Sequence, residues 1–475
     1  MLTVEEVIEA IGAKTTGFLE KNFEFTNITT DSRVVTQGCL FVALRGQKFD
    51  GHDYCQKALM DGAAAVLVEN DFDEDLGDEL VLKVHNTLIA YQQIAHKYRM
   101  LKKNLKVVAI TGSNGKTSTK DLVAACLSAK YKVVKTFANF NNEIGLPKTL
   151  LEVKEDTQIV VLEMGMRGIG QIKELAKIAV PDVAVITNVG ETHLELLGSI
   201  ENIAKAKNEI LEDLTTNDFA VLNNDDKFVK KMQTKATKAT FGIDSFANYR
   251  AKNLEIKDGK TTFVLEINPI ENKKILKEIK IAKEIKIVLP LIGKHNVMNA
   301  LAAIAVAKHF KVDDNSIVKA LFDVSLTSKR QEIVNVGGVI CINDAYNASV
   351  ASMQSAFDML FEIKKAESKK REKVRSIAVI ADMLELGPVS RASHLKIVDM
   401  ARDTNVDLIL AYGERMKECV DSAKEKGLNA FHFSKREELS EYLKMNYKKN
   451  DIILFKGSNS MKVDLVLKDV FLDNK

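Results

Sequence analysis

The chain has 475 residues, of which 46% are hydrophobic, so it is long enough for about two to four domains with packed cores. Its 68 basic and 65 acidic residues give a net charge of +3, which provides no electrostatic case for binding nucleic acid or an anionic membrane. Five cysteines without a C-x-x-C pair predict reduced, mostly buried thiols. Because secretory and membrane-spanning patterns are both missing, we expect a cytoplasmic protein.

Residues 1–98 alternate strand-like and helical patterns, which predicts a small α/β domain. In its turn 49–54, His52 lies between Asp50 and Asp53. This cluster is either a ligand site or a turn with capping acids, and the residues favour the turn. The polar stretch Tyr98–Asn104 predicts the linker to the next domain.

Residues 107–119, VVAITGSNGKTST, place an apolar strand, a glycine turn, Lys-Thr and a helix start in succession. A phosphate-binding loop needs this order, because glycines let backbone amides approach phosphates and the helix N-terminus adds partial positive charge. Lys116 would neutralise phosphate charge and the Thr117 hydroxyl would ligate Mg²⁺. The G-x-x-G-K-T spacing is shorter than usual, and an ordinary strand-to-helix turn is the alternative. The predicted nucleotide-binding residues here are Gly112, Ser113, Asn114, Gly115, Lys116, Thr117 and Ser118.

Residues 105–325 continue as a run of βα units, in which apolar strands repeatedly end in polar clusters. Ligands bind at the carboxyl ends of strands in open parallel sheets, so these clusters should meet near the phosphate loop. Glu163 follows one strand and could hold Mg²⁺, with a helix cap as the alternative. His193 follows another, and on its chemistry alone it is more often structural or solvated than a Mg²⁺ ligand.

The stretch 250–290 is rich in Lys, Glu and Ile and contains Asp258-Gly259 between LEIK and KTTFVLEI. This dipeptide predicts a hairpin, and therefore an antiparallel β insertion in the central domain. A helix rich in small residues should follow, and His295, Asn296 and Asn299 should face one side at its start.

Residues 326–475 again alternate apolar strands with helical patterns, which predicts a C-terminal Rossmann-like α/β domain. Strands are expected at 339–342, 376–380, 408–411 and 452–455. A dinucleotide is disfavoured because no G-x-G-x-x-G turn follows any of these strands.

Nine segments, in this order along nearly the whole chain, resemble the Mur ligase family, the ATP-dependent amide ligases of peptidoglycan synthesis. They are TDSR…GCLFVALRGQKFDGHDY, TGSNGKTST, NFNNEIGLP, LEMG, NVGETHLE…IAKAKNEIL, GKHNVMNALAA, NDAYNAS, ADMLELG and FKGSNSMK. The short glycine spacing is also the form found in that family.

The resemblance implies three α/β domains: a small N-terminal domain for the UDP-sugar at 1–98, a P-loop ATPase-like parallel sheet domain at 105–325, and an amine-binding domain at 326–475. The implied reaction uses ATP and Mg²⁺ to join D-alanyl-D-alanine to a UDP-N-acetylmuramoyl-tripeptide through an acyl phosphate. We expect a monomer with these two substrates as its partners. The third peptide residue, diaminopimelate or lysine, stays open.

The resemblance also implies roles for individual residues. The UDP-sugar side would comprise Asp31, Ser32, Arg33, Asp50 and His52, and the central cleft Asn139, Asn141 and Asn142. The catalytic and metal-binding residues would be Lys116, Thr117, Glu163, His193 and Lys207. The ATP contacts would include His295, Asn296 and Asn299 at the adenine, Arg330 at phosphate and Asp344 at ribose. The dipeptide side would comprise Tyr346, Asn347 and Lys456.

Lys207 aligns with a lysine that is carbamylated in several family members, and a carbamate could bind a second Mg²⁺. An unmodified helix lysine is the alternative. The chain departs from the family around Ala381, at Ser349-Val350 and around Pro388, which leaves loop details of the amine site open.

Three rival functions have distinct signatures. A sister ligase that adds a diamino acid typically carries Asp-Asn-Pro-Arg in its third domain, and this chain has no such segment. A folate polyglutamate ligase shares the ATP core but lacks this N-terminal domain. A regulatory P-loop NTPase would release phosphate without any amine acceptor.

Overall fold

The computed structural model describes residues 1–257, 259–270, 283–327 and 329–472, whose strands form sheets of five, nine and six strands. The predicted α/β class with three sheet-containing domains is confirmed, while the exact domain boundaries stay predictions. All five cysteines are buried and free, as predicted. None of the helices in the described ranges combines the length and apolar character needed to cross a membrane.

The first sheet has the order β1-β5-β4-β3-β2, with β1 antiparallel to β5 and the other pairs parallel. Its strands are β1 (Lys14–Thr16), β2 (Ile28–Thr29), β3 (Leu40–Val42), β4 (Ala65–Glu69) and β5 (Leu80–Val84). The accompanying helices are α1 (Val4–Ile11), α2 (Cys55–Met60) and α3 (Thr87–Leu101). Strand β3 is fully buried, as expected for an apolar run in a parallel sheet covered on both faces.

The prediction of a linker from Tyr98 onward is wrong, because α3 continues to Leu101. Tyr98 is 4% exposed and its hydroxyl donates a hydrogen bond to the Val153 carbonyl at 2.6 Å. Arg99 is 8% exposed and its Nε donates to the Ala179 carbonyl at 3.1 Å. These tertiary contacts satisfy polar groups that the sequence pattern alone assigns to solvent.

The second sheet has the order β14-β13-β12-β11-β10-β9-β6-β8-β7. Its strands are β6 (Lys106–Thr111), β7 (Val133–Lys135), β8 (Ile159–Glu163), β9 (Val183–Ile186), β10 (Phe219–Asn223), β11 (Thr237–Gly242), β12 (Tyr249–Lys257), β13 (Lys260–Ile267) and β14 (Lys283–Leu289). The helices of this part of the chain are α4 (Lys116–Ser128), α5 (Gly145–Leu151), α6 (Gln171–Ala179), α7 (Leu194–Leu197), α8 (Ile200–Asn208), α9 (Lys294–His309) and α10 (Asp314–Phe322).

The predicted antiparallel insertion is present in this sheet. Strand β12 pairs with β13 in antiparallel register up to Lys257 opposite Lys260, and β13 pairs in the same sense with β14. Asp258, which the sequence places in the hairpin turn, lies outside the described residues. Gly259 has a φ of +75°, the conformation that a glycine provides in such a turn.

The third sheet has the order β15-β16-β20-β17-β18-β19, parallel except for the antiparallel edge strand β15. Its strands are β15 (Glu332–Val336), β16 (Val339–Asn343), β17 (Arg375–Ala381), β18 (Leu408–Tyr412), β19 (Ala430–Phe433) and β20 (Asp451–Lys456). The helices are α11 (Val350–Glu367), α12 (Ser390–Asp403), α13 (Met416–Glu425), α14 (Arg436–Asn446) and α15 (Val463–Leu467). The four predicted strands correspond to β16, β17, β18 and β20.

The chain divides into two compact units. The first unit contains Met1–Ala109, Tyr131–Gly165 and Gln171–Asp182, and the second contains Ile110–Lys130, Met166–Gly170 and Val183–Lys475. The phosphate loop and the whole third sheet therefore belong to the second unit, whereas Glu163 and the predicted UDP-sugar residues belong to the first.

Replacing Tyr98 by Phe should lower the free energy of unfolding by about 1–3 kcal/mol, because the Val153 carbonyl would lose its buried donor. Denaturant unfolding would measure the change in free energy, and hydrogen exchange would show whether α3 is affected. Tyr54→Phe is the matched control, because this tyrosine is 39% exposed. Equal stability losses in the two variants would contradict the prediction.

Candidate functional site

The phosphate loop connects β6 to α4 and contains two positions where only glycine fits. Gly112 has a φ of +153°, and a Cβ there would lie 1.8 Å from the Thr187 Oγ1. Gly115 has a φ of +80°, and a Cβ there would lie 2.6 Å from the Asn299 Oδ1. The backbone is therefore packed directly against neighbouring side chains, and L-residues would be strained as well as crowded.

The loop is held by the residues that follow β9. The Asn188 carbonyl accepts a hydrogen bond from the Ser113 N–H at 2.9 Å, and its Oδ1 accepts one from the Asn114 N–H at 2.9 Å. The Thr187 hydroxyl donates to the Asn114 carbonyl at 2.7 Å. The Gly190 N–H donates to the Ser113 hydroxyl at 2.8 Å. Thr187 and Asn188 belong to the polar cluster after β9, which the sequence predicted to lie near the phosphate loop without giving these two residues individual roles.

Lys116 begins α4 and folds back over the loop. Its ammonium donates to the Gly112 carbonyl at 2.8 Å and to the Ser113 carbonyl at 3.3 Å. Thr117 and Ser118, in the same first turn, are 2% and 9% exposed. A phosphate group at this helix N-terminus would meet a lysine ammonium, two hydroxyls and the positive end of the helix dipole.

Lys116 contributes to a cluster of three predicted site residues. Lys207 on α8 is 2% exposed, and burial followed by the charge of Lys116 lowers its pKa well below the usual range. Burial also lowers the pKa of His193, helped by the charges of Lys116 and Lys207, while Glu385 opposes the shift. The resulting positive potential is a suitable environment for polyphosphate, and it favours an unprotonated Lys207 amine.

A cavity of about 580 Å³ opens at the start of α9. Its walls include His295 and Met298 of α9 and Phe361 of α11. Five carboxylates also line it, from Asp225, Asp226, Asp244, Asp358 and Glu362. Burial lowers the pKa of His295, which favours a neutral imidazole in the wall. The volume would admit a flat heterocycle, which His295, Met298 and Phe361 could contact.

Asn296 and Asn299 do not line that cavity, which differs from the direct adenine contact that the resemblance implies. Asn296 is 1% exposed, and its amide donates to the Ile292 carbonyl at 2.9 Å and to the Gln331 Oε1 at 2.8 Å. Asn299 is 6% exposed, and its Oδ1 accepts from the Thr119 hydroxyl at 3.2 Å. Asn299 therefore stabilises the start of α4 next to the phosphate loop, and Asn296 stabilises Gln331 at the start of the third domain.

Arg330 lies at the entry to the third domain between two residues with left-handed backbones. Lys329 has a φ of +62° and Gln331 a φ of +54°. The Arg330 guanidinium carbon lies 3.9 Å from the centre of the Tyr346 ring, a cation–π distance. Within the described ranges, the buried Arg330 Nε has no hydrogen-bond partner. Such a donor is available to an anionic ligand.

Gln331 connects several predicted ATP contacts and was not identified from the sequence. Its Nε2 lies 2.7 Å from the His295 Nε2, and its backbone N–H donates to the Asp344 Oδ1 at 3.3 Å. The Gln331 Oε1 also accepts a hydrogen bond from the amide of Asn296, a buried residue of α9. Its only signal in the sequence was its place next to Arg330.

Lys456 was predicted on the dipeptide side, but it is 1% exposed. Its ammonium donates to the Asp344 Oδ2 at 2.6 Å, to the Asp344 carbonyl at 3.4 Å and to the Asn347 carbonyl at 3.1 Å. All three of its N–H groups are thereby directed at protein acceptors. The structure thus corrects the assigned role: Lys456 positions Asp344 and Asn347.

Two hydroxyl groups connect the third domain to the phosphate loop and α4. The Ser349 hydroxyl, at the N-cap of α11, donates to the Asn114 Oδ1 at 2.9 Å. Thr327 donates to the Asp121 Oδ2 from its N–H at 2.9 Å and from its hydroxyl at 2.7 Å. Asp121 is on α4, the helix that starts at the phosphate loop.

In the first unit, Glu163 and the asparagine segment lie together. Glu163 at the end of β8 is 3% exposed, and its Oε1 accepts from the Asn141 amide at 2.8 Å. The Gly165 N–H donates to the Asn141 carbonyl and the Asn141 N–H to the Asn139 carbonyl, at 2.8 and 2.7 Å. Asn142 has a local role, since its Oδ1 accepts from the Gly145 N–H at 2.9 Å at the start of α5.

Asp31, Ser32 and Arg33 form a compact polar turn in the same unit. Asp31 precedes a short 3₁₀ helix that starts at Ser32, and its carboxylate pairs with the Arg33 guanidinium at 2.8 and 2.7 Å. The hydrogen bonds from Arg33 lower the pKa of Asp31 to about 2. The Arg33 side chain is 85% exposed, so this pair presents its charge to solvent.

His52 occupies the turn that the residues favour over a ligand site. It is 6% exposed, its Nδ1 lies 2.5 Å from the Asp50 Oδ1, and its Nε2 accepts from the Glu69 N–H at 2.9 Å. Both ring nitrogens therefore serve the fold. A direct substrate contact by His52 is contradicted by this arrangement, because no ring nitrogen remains for a ligand.

Among the residues that the structure describes, no cluster of three or more His, Cys, Asp or Glu side chains could alone hold a metal ion. The predicted set is mixed, with a hydroxyl from Thr117, a carboxylate from Glu163 and an imidazole from His193. Mg²⁺ is typically bound through one or two carboxylates together with phosphate oxygens and water.

Gly112→Ala should weaken ADP binding about tenfold or more, because backbone strain at such positions is worth about 1–3 kcal/mol and the new Cβ would collide with Thr187. Titration calorimetry would measure the affinity. The control is Gly190→Ala in the supporting loop, where the nearest atoms would be 3.5 Å from the new Cβ. Equal ADP affinity in both variants would refute the loop assignment.

Three family models match consecutive parts of the chain. The model described as "Mur ligase family, catalytic domain" matches residues 24–108, "Mur ligase middle domain" matches 110–307, and "Mur ligase, glutamate ligase domain" matches 329–459. Together they include the polar turn at Asp31, the phosphate loop and the third sheet.

Full-length relatives bear one name, UDP-N-acetylmuramoyl-tripeptide–D-alanyl-D-alanine ligase. The protein from Bacillus subtilis is 36% identical over 93% of this chain and 92% of its own length, and that from Escherichia coli is 32% identical over 93% and 92%. Among solved structures, MurF from Acinetobacter baumannii has a TM-score of 0.85 at 27% identity, covering 98% of both chains. MurF from Thermotoga maritima in complex with ADP has a TM-score of 0.77 at 27% identity, covering 94% of this chain and 96% of that one. The chain therefore belongs to the Mur ligase family.

Proposed function

We propose that this protein uses ATP to join D-alanyl-D-alanine to a UDP-N-acetylmuramoyl-tripeptide, a step of peptidoglycan precursor synthesis. The observation that carries the proposal is a glycine-built phosphate loop with the Lys116 ammonium folded over it, in a chain whose relatives are named for this reaction. We further propose that the protein is located in the cytoplasm and acts as a monomer.

The triphosphate would bind across the phosphate loop, with Lys116 turning from the Gly112 and Ser113 carbonyls to phosphate oxygens. The adenine would enter the cavity beside His295. Arg330, whose buried Nε lacks a partner within the described ranges, would donate to a phosphate from the third domain. Asp344, held by Lys456, would meet the ribose.

Thr117, His193 and a carbamylated Lys207, all in the second unit, would hold Mg²⁺ together with phosphate oxygens. Glu163, in the first unit, stays a predicted ligand. Hydroxyl, carboxylate and carbamate oxygens suit this hard cation. Burial and the Lys116 charge lower the pKa of Lys207, which favours the neutral amine that adds CO₂. When bound, Mg²⁺ would neutralise negative charge that develops on the transferring phosphoryl group.

The reaction would begin when the terminal carboxylate of the peptide attacks the γ-phosphorus, forming an acyl phosphate and releasing ADP. The amine of D-alanyl-D-alanine would then attack the acyl carbon and displace inorganic phosphate, losing a proton as the amide forms. Lys116 would stabilise charge on the phosphates throughout. Holding the two anions and the amine in line, away from water, would supply much of the rate.

The two other substrates would occupy the outer domains. Asp31, Ser32 and the exposed Arg33 would bind the UDP-sugar, and Asn139 and Asn141 would contact its peptide end, with Asn141 already paired to Glu163. Tyr346 and Asn347 would contact the dipeptide, with Asn347 held by Lys456. The proposed domains are 1–98, 105–325 and 326–475.

ADP formation with UDP-N-acetylmuramoyl-tripeptide should require D-alanyl-D-alanine, and a panel of amine acceptors would measure this preference.

Lys116→Ala should reduce turnover by about a thousandfold or more, since electrostatic stabilisation of the transferring phosphoryl group is the main source of catalysis. Release of phosphate without an acceptor would favour a regulatory NTPase. Preference for a diamino acid with the dipeptide precursor would favour the sister ligase.

Lys207→Ala should lose most ligase activity, and activity of the unsubstituted enzyme should fall when CO₂ is removed and return with bicarbonate. The reason is that a neutral buried amine can form a carbamate, whereas alanine cannot. Lys205→Ala, two residues away on α8 and solvent-exposed, is the matched control. Activity unaffected by CO₂ would leave Lys207 as an unmodified helix lysine.

A further inference from the structure

His193 is held by a carboxylate from a different part of the second unit. The Glu385 Oε2 lies 2.6 Å from the His193 Nδ1, although the N–H direction is outside hydrogen-bond angles, so the contact is an electrostatic one. Both residues have left-handed backbones, with φ of +59° at His193 and +62° at Glu385. Such conformations in residues other than glycine persist where surrounding contacts enforce them.

The turn that carries Glu385 follows β17 and is fixed by three side chains of the third domain. The Met383 N–H donates to the His394 Nε2 at 3.0 Å, and the Met383 carbonyl accepts from the Arg415 guanidinium at 3.1 Å. The Leu384 N–H donates to the Ser458 hydroxyl at 2.8 Å. The Glu385 carboxylate therefore projects from a rigid support.

The same turn packs tightly against the segment that follows His193. The Glu195 N–H points at the Glu385 carbonyl at 3.4 Å. Gly387 has a φ of +55°, and a Cβ there would lie 3.0 Å from the Glu195 Cα. The close backbone approach explains why glycine occupies position 387, and it makes the His193–Glu385 pair part of a continuous contact.

We propose that Glu385 is a positioning residue, which orients the His193 imidazole toward the metal only when the third domain is docked. A carboxylate beside Nδ1 favours the tautomer with the proton on that nitrogen, so that the Nε2 lone pair is directed away from Glu385 and is available to a cation. This inference rests on the proposed function, in which His193 is a Mg²⁺ ligand.

The arrangement has a functional consequence for the order of events. One ligand of the metal would reach its binding orientation through a carboxylate of the amine-binding domain. The metal site would therefore be complete only with that domain in place, which links cation binding in one domain to docking of the next.

The test is Mn²⁺ binding to the ADP complex, measured by electron paramagnetic resonance, in Glu385→Gln and Glu385→Ala. The Mn²⁺ Kd should rise about tenfold in both, the lower end of losses seen when a partner of a metal-ligating histidine is removed. Glu441→Gln, the same charge change at an exposed acid of α14, should leave the Kd within about twofold. Thermal unfolding would establish that each variant is folded.

A double-mutant cycle completes the test. In a His193→Ala background, Glu385→Gln should have no further effect on the Mn²⁺ Kd, because the carboxylate acts through the imidazole. An unchanged Kd in the single Glu385 variants, or an equal loss in the His193→Ala background, would overturn the inference alone. If His193→Ala itself leaves the Kd unchanged, the metal assignment of the proposed function fails, and this inference fails with it.

Discussion

The close approach of Gly112 to the Thr187 side chain is the constraint on which the nucleotide end of this protein depends. A Cβ on Gly112 would lie only 1.8 Å from the Thr187 Oγ1, so the chain after β6 lies directly against the end of β9. Asn188 then fixes the loop backbone through its carbonyl and its side chain. As a result α4 begins at a defined point, with Lys116 and Thr117 in its first turn.

The same region concentrates positive charge in a buried setting. Lys207 is almost inaccessible to solvent and feels the charge of Lys116, which disfavours its protonated form. Groups whose pKa is displaced in this way are unfavourable for folding unless an anion or a chemical modification offsets the repulsion. The polyphosphate and the Lys207 carbamate that we propose would each supply the negative charge that this region lacks.

Local patterns were sufficient for much of this picture, because they depend on backbone physics within a few residues. The strand, glycine turn and helix around Lys116 were predicted in this way, and the favoured turn at His52 is confirmed by its contacts with its neighbours. Tertiary burial was not accessible to the same reasoning. Tyr98 looked like a linker residue but fills a hydrogen-bonded core position, and Lys456 looked like a ligand contact but is itself buried and paired with the partly exposed Asp344. Gln331 had no signal besides its place next to Arg330, since its role arises from partners 13, 35 and 36 residues away from it in sequence.

The anchoring of Thr327 on Asp121 has a consequence for how the site is reassembled between turnovers. Arg330 follows this anchor by three residues, a contour length of about 10 Å. Because the anchor is on the helix that starts at Lys116, the phosphate contact proposed for the Arg330 guanidinium would keep a high effective concentration if the third domain rotates. Restoring that proposed contact would then be a unimolecular step over a short tether, independent of enzyme concentration.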